Sequence, residues 1–273
     1  MRPTPCLMLS LVLALPARGL AQAAPPRGIV LADLTWVEAE KLLRPETIMV
    51  IPLGAEAKEH GPHLRLDNDR QLAEYYRGRV LAAADVVMAP TINYHFYPSF
   101  VEYPGSTHLQ FNTARDVVVD IVRSLASYGP RRFYVLNTGV STIRPLKAAA
   151  DSLAALGIVL HYTNVAEVAK TAEAQIRQQV RGTHADEIET SMMLYIAPER
   201  VDMSKAVKDD RPDQPGRLTR RPDGPGLYSP SGVWGDATLA TREKGRVVVE
   251  ATVAGILREI AAMREVPLPA PVK

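Results

Sequence analysis

Short apolar runs alternate along the chain with longer segments whose apolar residues recur every three or four positions. TIMVIPL at 47–53 is apolar, partly β-branched and stopped by Gly54, a pattern that predicts a strand buried on both faces. VVMA at 86–89, RFYVL at 132–136 and the run at 158–162 read the same way. Helical spacing predicts helices over 71–84, 113–127, 146–156, 185–196 and 246–264. Their ends carry the expected punctuation: Asn112 or Thr113 as an N-cap, Gly129-Pro130, Gly157 and Pro198 as stops. Strand–helix alternation of this kind predicts an α/β protein, a layered α/β/α fold with a mostly parallel central sheet.

Two stretches stand apart. Residues 208–230 are crowded with Asp, Arg, Pro and Gly and read as a long surface loop, a candidate lid or subunit contact. VPLPAPVK at 266–273 reads as an extended proline-rich tail. Residues 1–23 have a basic start, an apolar run from Cys6 to Leu15 and the triplet Ala21-Gln22-Ala23, the pattern of a signal peptide cleaved before Ala24. The run is about half of the roughly 20 residues a membrane-spanning helix needs, which disfavours an uncleaved anchor. The expectation is an exported protein, periplasmic or secreted, with one domain over 24–265.

Export changes the charge and the cysteine count. Lys plus Arg total 32 and Asp plus Glu 30, and removing Arg2 and Arg18 with the leader leaves 30 of each sign. A neutral chain has no electrostatic reason to seek nucleic acid or an anionic membrane, so neither is expected as a partner. Cys6 is the one cysteine and departs with the leader, so a hydrophobic core rather than disulfides must hold the fold.

The richest polar segment is GAEAKEHGPHLRLDND at 54–69, directly after a predicted strand. Open α/β sheets bind ligands at that carboxyl edge. Glu59, His60 and Asp69 are oxygen and nitrogen donors suited to Zn²⁺, Mn²⁺ or Fe²⁺, and Gly61-Pro62 turns the chain between them. The competing reading is a solvated polar loop. HADEIETS at 184–191 opens a predicted helix. An acidic first turn facing the helix dipole explains Asp186 and Glu187 but neither His184 nor Glu189. His63 reads as a residue supporting the site, His161 as structural, and His95 and His108 lie among aromatics.

These motifs resemble the creatininase (creatinine amidohydrolase) family. HGPHL followed by Asp69 is similar to its E-x-H-G-P-H-L-P-L-x-T-D signature, and 184–191 to its H-A-G-E-x-E-T-S motif, with Asp186 where glycine is usual. Tyr103-Pro104-Gly105-Ser106-Thr107 resembles its PGT loop, and GVWGDATLATREKGR at 232–246 its late G-x-x-GDP stretch. The resemblance implies a creatininase-like fold, usually assembled as a hexamer, and metal-dependent hydrolysis of C–N bonds in small cyclic or linear amides. It matches His60 to a metal-binding histidine, Asp69 to a bridging aspartate, Glu189 to a carboxylate ligand, and His184 to the histidine that handles substrate and protons.

The departures shape the expectation further. The family's glutamate two residues before its metal histidine is Lys58 here, leaving Glu59 or Glu56 as substitutes. Its N-G-H-G-G-N loop appears as Asn137-Thr138-Gly139-Val140-Ser141-Thr142, so a metal-binding histidine is replaced by Gly139. Ligands of the first of the family's two ions are thus missing or displaced, and one divalent ion (Zn, Mn or Fe) per subunit is expected, with Lys58 supplying a fixed charge in place of the other. The expected ligands are His60, Asp69, Glu189 and Glu59, the expected proton carrier is His184, and Tyr97, Asn137 and Gly139 are expected to bind substrate. Tyr94, Phe96, Tyr97, Phe100 and Tyr103 form either a local aromatic core or the wall of a pocket for a small, partly apolar amide. Tyr97 and Phe100 stand where the family's creatinine-handling loop usually carries Ser and His, which argues against creatinine itself. The rival expectation is a non-catalytic small-molecule binder with a degenerate metal site.

Overall fold

The computed structural model describes residues 26–211 and 216–270. Five strands, β1 (Ile29–Val30), β2 (Ile48–Leu53), β3 (Val87–Met88), β4 (Arg132–Asn137) and β5 (Val159–Tyr162), form one sheet in the order β1-β3-β2-β4-β5. Every pairing in it is parallel. Among the described residues seven helices accompany it: α1 (Trp36–Leu42), α2 (Asn68–Ala83), α3 (Phe111–Ala126), α4 (Ile143–Ala154), α5 (Lys170–Ile176), α6 (Glu187–Ile196) and α7 (Arg242–Ala262).

The unbroken hydrophobicity of β2 has a direct cause. Side chains alternate across a strand. Ile48 and Val50 therefore pack with Tyr76, Val80, Val249, Val253 and Ile256 of α2 and α7 on one face. Met49, Ile51 and Leu53 meet Val118, Val122, Leu146 and Leu153 of α3 and α4 on the other. Both faces are covered, so every position of β2 is buried. The layered α/β/α fold and its parallel sheet agree with the sequence reading.

The structure departs from that reading where elements are short. The sequence reading does not include β1, α1 or α5, of two and seven residues. Segment 208–230, expected as surface loop, holds parts of two small sheets: β6 (Lys208–Asp209) pairs with β9 (Gly235–Asp236), and β7 (Leu218–Thr219) with β8 (Leu227–Tyr228). Leu218 and Leu227 pack with Tyr97, Phe100 and Tyr103, so this stretch contributes to the core. The expected leader and residues 271–273 of the tail lie outside the described residues. No described helix is long and apolar enough to cross a membrane.

α6 and α7 pack at a backbone contact. A Cβ at Gly245 would collide with the Ser191 carbonyl oxygen, a backbone atom that cannot rotate away. We predict that Gly245→Ala destabilises the protein by about 1–3 kcal/mol, the usual cost of overpacking, read from the urea midpoint.

Two histidines are sealed into the frame. His63 donates or accepts at Nε2 with the Thr190 hydroxyl, 2.7 Å away, tying the loop after β2 to α6. His95 is fully buried, with no hydrogen-bond partner at either ring nitrogen among the described residues. Burial disfavours the charged ring in both, and each pKa is pushed down to about 4. The unfolded chain, with histidines near 6.5, then binds more protons than the folded one between those values. Their stabilising contribution is therefore complete above pH 6.5 and is lost as pH falls toward 4. Tm should drop over that window, and less steeply in His63→Gln and His95→Gln variants that still fold.

Candidate active site

The site grows from the loop that leaves β2. Gly54 lets this loop pass against the first turn of α2, where a Cβ would strike the Asp69 carbonyl. Backbone bonds from Lys58 N to Leu66 O (2.9 Å) and from Arg70 N to Ala55 O (3.2 Å) fold the loop back on itself. Lys58, His60 and Asp69, spread over twelve positions, are thereby brought together and buried.

Asp69 is shared. Its Oδ1 lies 2.9 Å from His60 Nε2 and its Oδ2 lies 2.7 Å from the Lys58 ammonium. Burial alone would raise the Asp69 pKa, but the charges of Lys58 and His60 outweigh it and hold the carboxyl well below the usual carboxylate range. The ammonium also sits over two aromatic faces, 4.8 Å from the centre of Phe100 and 5.6 Å from that of Tyr97. His60 Nδ1 donates to the Lys58 carbonyl at 2.9 Å. Its Nε2 then faces a carboxylate that can only accept, a place for a proton or a metal ion.

The second half comes from the entrance to α6. His184 exchanges backbone hydrogen bonds with Trp234. Ala185 then takes a left-handed conformation (φ 48°), the only non-glycine residue among those described with positive φ. Asp186 caps the helix, accepting from Ile188 N and Glu189 N at 2.9 and 3.0 Å. Glu187 accepts from the amides of Gln178 and Gln179 and from Lys244. Both acids are thus occupied structurally, as an acidic first turn predicts. Glu189 turns instead toward His184, with Oε2 3.5 Å from Nδ1 and 2.6 Å from the Ala185 amide.

His184 Nε2 is 3.0 Å from the Glu59 side chain and 3.0 Å from the Glu59 carbonyl. Burial would lower the His184 pKa, but the Glu59 carboxylate more than offsets it and raises it. The partner effect on Glu59 runs the other way: His184 outweighs burial and lowers it. The His184 ring stands 5.1 Å from that of His60 and 4.4 Å from that of Phe100.

His60, His184 and Glu189 form the cluster whose donor atoms all lie within 4.8 Å of one another. Ligand bonds of about 2.1 Å span at most about 4.2 Å across an ion, so the cluster is close to the size that could hold one. Two imidazoles and a carboxylate suit Zn, Mn or Fe. Each imidazole is also anchored at its other nitrogen by a protein oxygen, the usual way a metal-binding histidine is oriented. Of the expected ligands, His60 and Glu189 belong to this cluster; Asp69 faces the same His60 nitrogen from 2.9 Å, and Glu59 stands behind His184. His184, expected as the proton carrier, falls in the same cluster.

A cavity of about 470 Å³ opens over His184 and Glu189, lined also by Lys58, Phe100, Asn137, Gly139 and Trp234 together with Val165, Leu218 and Leu227. Gly139 reaches its wall, but the Asn137 side chain is engaged in its own turn. It donates to the carbonyls of Gly139 and Thr163 and accepts from Gly139 N and the Thr142 hydroxyl. Tyr97 is buried beneath Lys58, and Phe100 forms the aromatic wall. Sequence reasoning missed Val165, Trp234, and Arg177 with its partner Glu173, which also line the cavity; the i,i+4 spacing of that last pair was the one available signal.

Residues 32–260 match the family model described as Creatininase, creatinine amidohydrolase. The chain is 26% identical over 249 residues to the creatinine amidohydrolase of Pseudomonas putida, covering 84% of this chain and 95% of that one. It is 27% identical over 252 residues to the 3-dehydro-scyllo-inosose hydrolase of Thermotoga maritima, covering 83% and 80%. Among solved structures, a manganese form of creatininase superposes with a TM-score of 0.72 at 25% identity, over 87% of this chain and 98% of that one. With this match over most of its length, the fold it shares and the motifs it carries, the chain belongs to the creatininase family.

Proposed function

We propose that this protein hydrolyses a C–N bond of a small amide with the help of one divalent ion held by His60, His184 and Glu189. The observation behind this reading is the anchoring of the two histidines. Glu59 engages one nitrogen of His184 and the Lys58 carbonyl one nitrogen of His60. The remaining nitrogens face carboxylates: His184 Nδ1 faces Glu189, and His60 Nε2 faces Asp69, where an ion would sit. Family members are hydrolases, which supports the reaction class. An ion in the triad would supply Lewis acidity toward a carbonyl. Water adds its oxygen to the carbonyl carbon, the C–N bond breaks, and the departing nitrogen takes up a proton.

The protein's own groups give this reaction its setting. Phe100, Leu218, Leu227 and Trp234 surround the polar cluster with apolar surface, which strengthens every electrostatic contact inside. The Lys58 carbonyl and Glu59 fix the orientation of the two imidazoles from behind. A different use of His184 has one observation in its favour: Glu59 raises its pKa, which suits a proton donor to the leaving nitrogen.

Protein purified without chelator should carry about one equivalent of Zn, Mn or Fe by elemental analysis, and a metal-free protein would favour a ligand-binding role. His184→Ala should release the ion. Retention of metal with turnover slowed by roughly 10²–10⁴ would instead make His184 the proton donor. Asp69→Asn should weaken metal binding by about 10–100-fold, because it removes the negative charge that faces the ion-side nitrogen of His60.

We also propose that residues 1–23 direct export and are removed. Mass spectrometry of exported protein should find a mature chain starting at Ala24, and an intact Met1 in that fraction would count against it.

A further inference from the structure

We propose that the Lys58 ammonium is a second, built-in cation of this site, standing in for a second divalent ion and donating an N–H to the carbonyl oxygen of the substrate. This inference rests on the metal-dependent reading above.

Four observations carry it. Lys58 is 5% exposed, yet it lines the cavity. Its ammonium shares Asp69 with His60, so one carboxylate joins the fixed cation to a member of the triad. Two aromatic faces take up part of the remaining charge, and Asp69 accounts for one of three ammonium hydrogens, so donors remain for the cavity side. The other basic side chain on the cavity wall, Arg177, is engaged by Glu173 at 2.9 Å and by the Gly182 carbonyl at 3.2 Å.

A buried ammonium is costly to keep, and a cavity-facing one beside a metal-capable triad has an evident use. As the water oxygen bonds to the carbonyl carbon, the carbonyl electron pair moves onto oxygen, where Lys58 donates. When the pair returns, the C–N bond breaks, the nitrogen keeps that bond's electrons, and a proton from the water ends on it. Such donors are worth most in a dry site, where their geometry is set beforehand. The same ammonium repels a second divalent ion from Asp69.

Zinc alone and inorganic phosphate, a mimic of a tetrahedral oxyanion, test the idea without knowledge of the substrate. Wild-type protein should bind one zinc. Lys58→Glu, which replaces the cation with a ligand, should bind two. On zinc-loaded protein, Lys58→Met should bind phosphate at least about tenfold more weakly, with Lys58→Arg within about threefold of wild type. Circular dichroism confirms that each variant is folded. Two zinc ions in the wild type, one in folded Lys58→Glu, or unchanged phosphate affinity in folded Lys58→Met would each overturn the proposal while leaving the metal-dependent reading intact. A wild type that binds no zinc, manganese or iron would remove that reading, and this inference with it.

Discussion

The Asp69 carboxylate is the contact on which the site depends. It is buried between an ammonium and an imidazole, 2.7 and 2.9 Å away. A lone carboxylate at this depth would take up a proton rather than remain charged. With Lys58 and His60 in place it stays ionised, and the three groups hold one another in position at the start of α2. That arrangement sets the direction of His60, and with it the place where the triad with His184 and Glu189 can form. Pairing by charge does here what a disulfide or a deep apolar core does elsewhere.

The fold delivers these groups by simple means. Parallel strands put all their carboxyl ends along one edge, so the loops after β2, β3 and β4 meet there. The start of α6 brings Glu189, and the turn before it brings His184. The position of α6 is set by contact with α7 at Gly245 and by its cap at Asp186. Site and scaffold are joined most tightly where backbone meets backbone.

The central strands were legible because both faces of β2 and β4 are buried, which leaves a continuous apolar run. β1, α1 and α5 were not, since two to seven residues cannot establish a period. α2 begins at Asn68, before its apolar spacing starts, because Asn68 and Asp69 are polar residues buried for the sake of the site. The chemistry-bearing residues stood out by type and by proximity to turns. What sequence spacing does not contain is the contact between Glu59 and His184, 125 positions apart. That contact decides which nitrogen of His184 is engaged and which is left for the triad. The partnership of Lys58 with Asp69 is equally tertiary: ten residues of folded chain lie between them.

The polar cluster and the apolar wall come from different parts of the chain. His60, Asp69, His184 and Glu189 sit on loops and helix starts anchored to the sheet, whereas Leu218 and Leu227 come from two-residue strands paired mainly with each other. Such a pair makes few demands on the layers beneath. Evolution can rewrite that excursion to reshape the cavity wall while the polar cluster keeps its geometry. A lineage built this way changes diet without changing teeth.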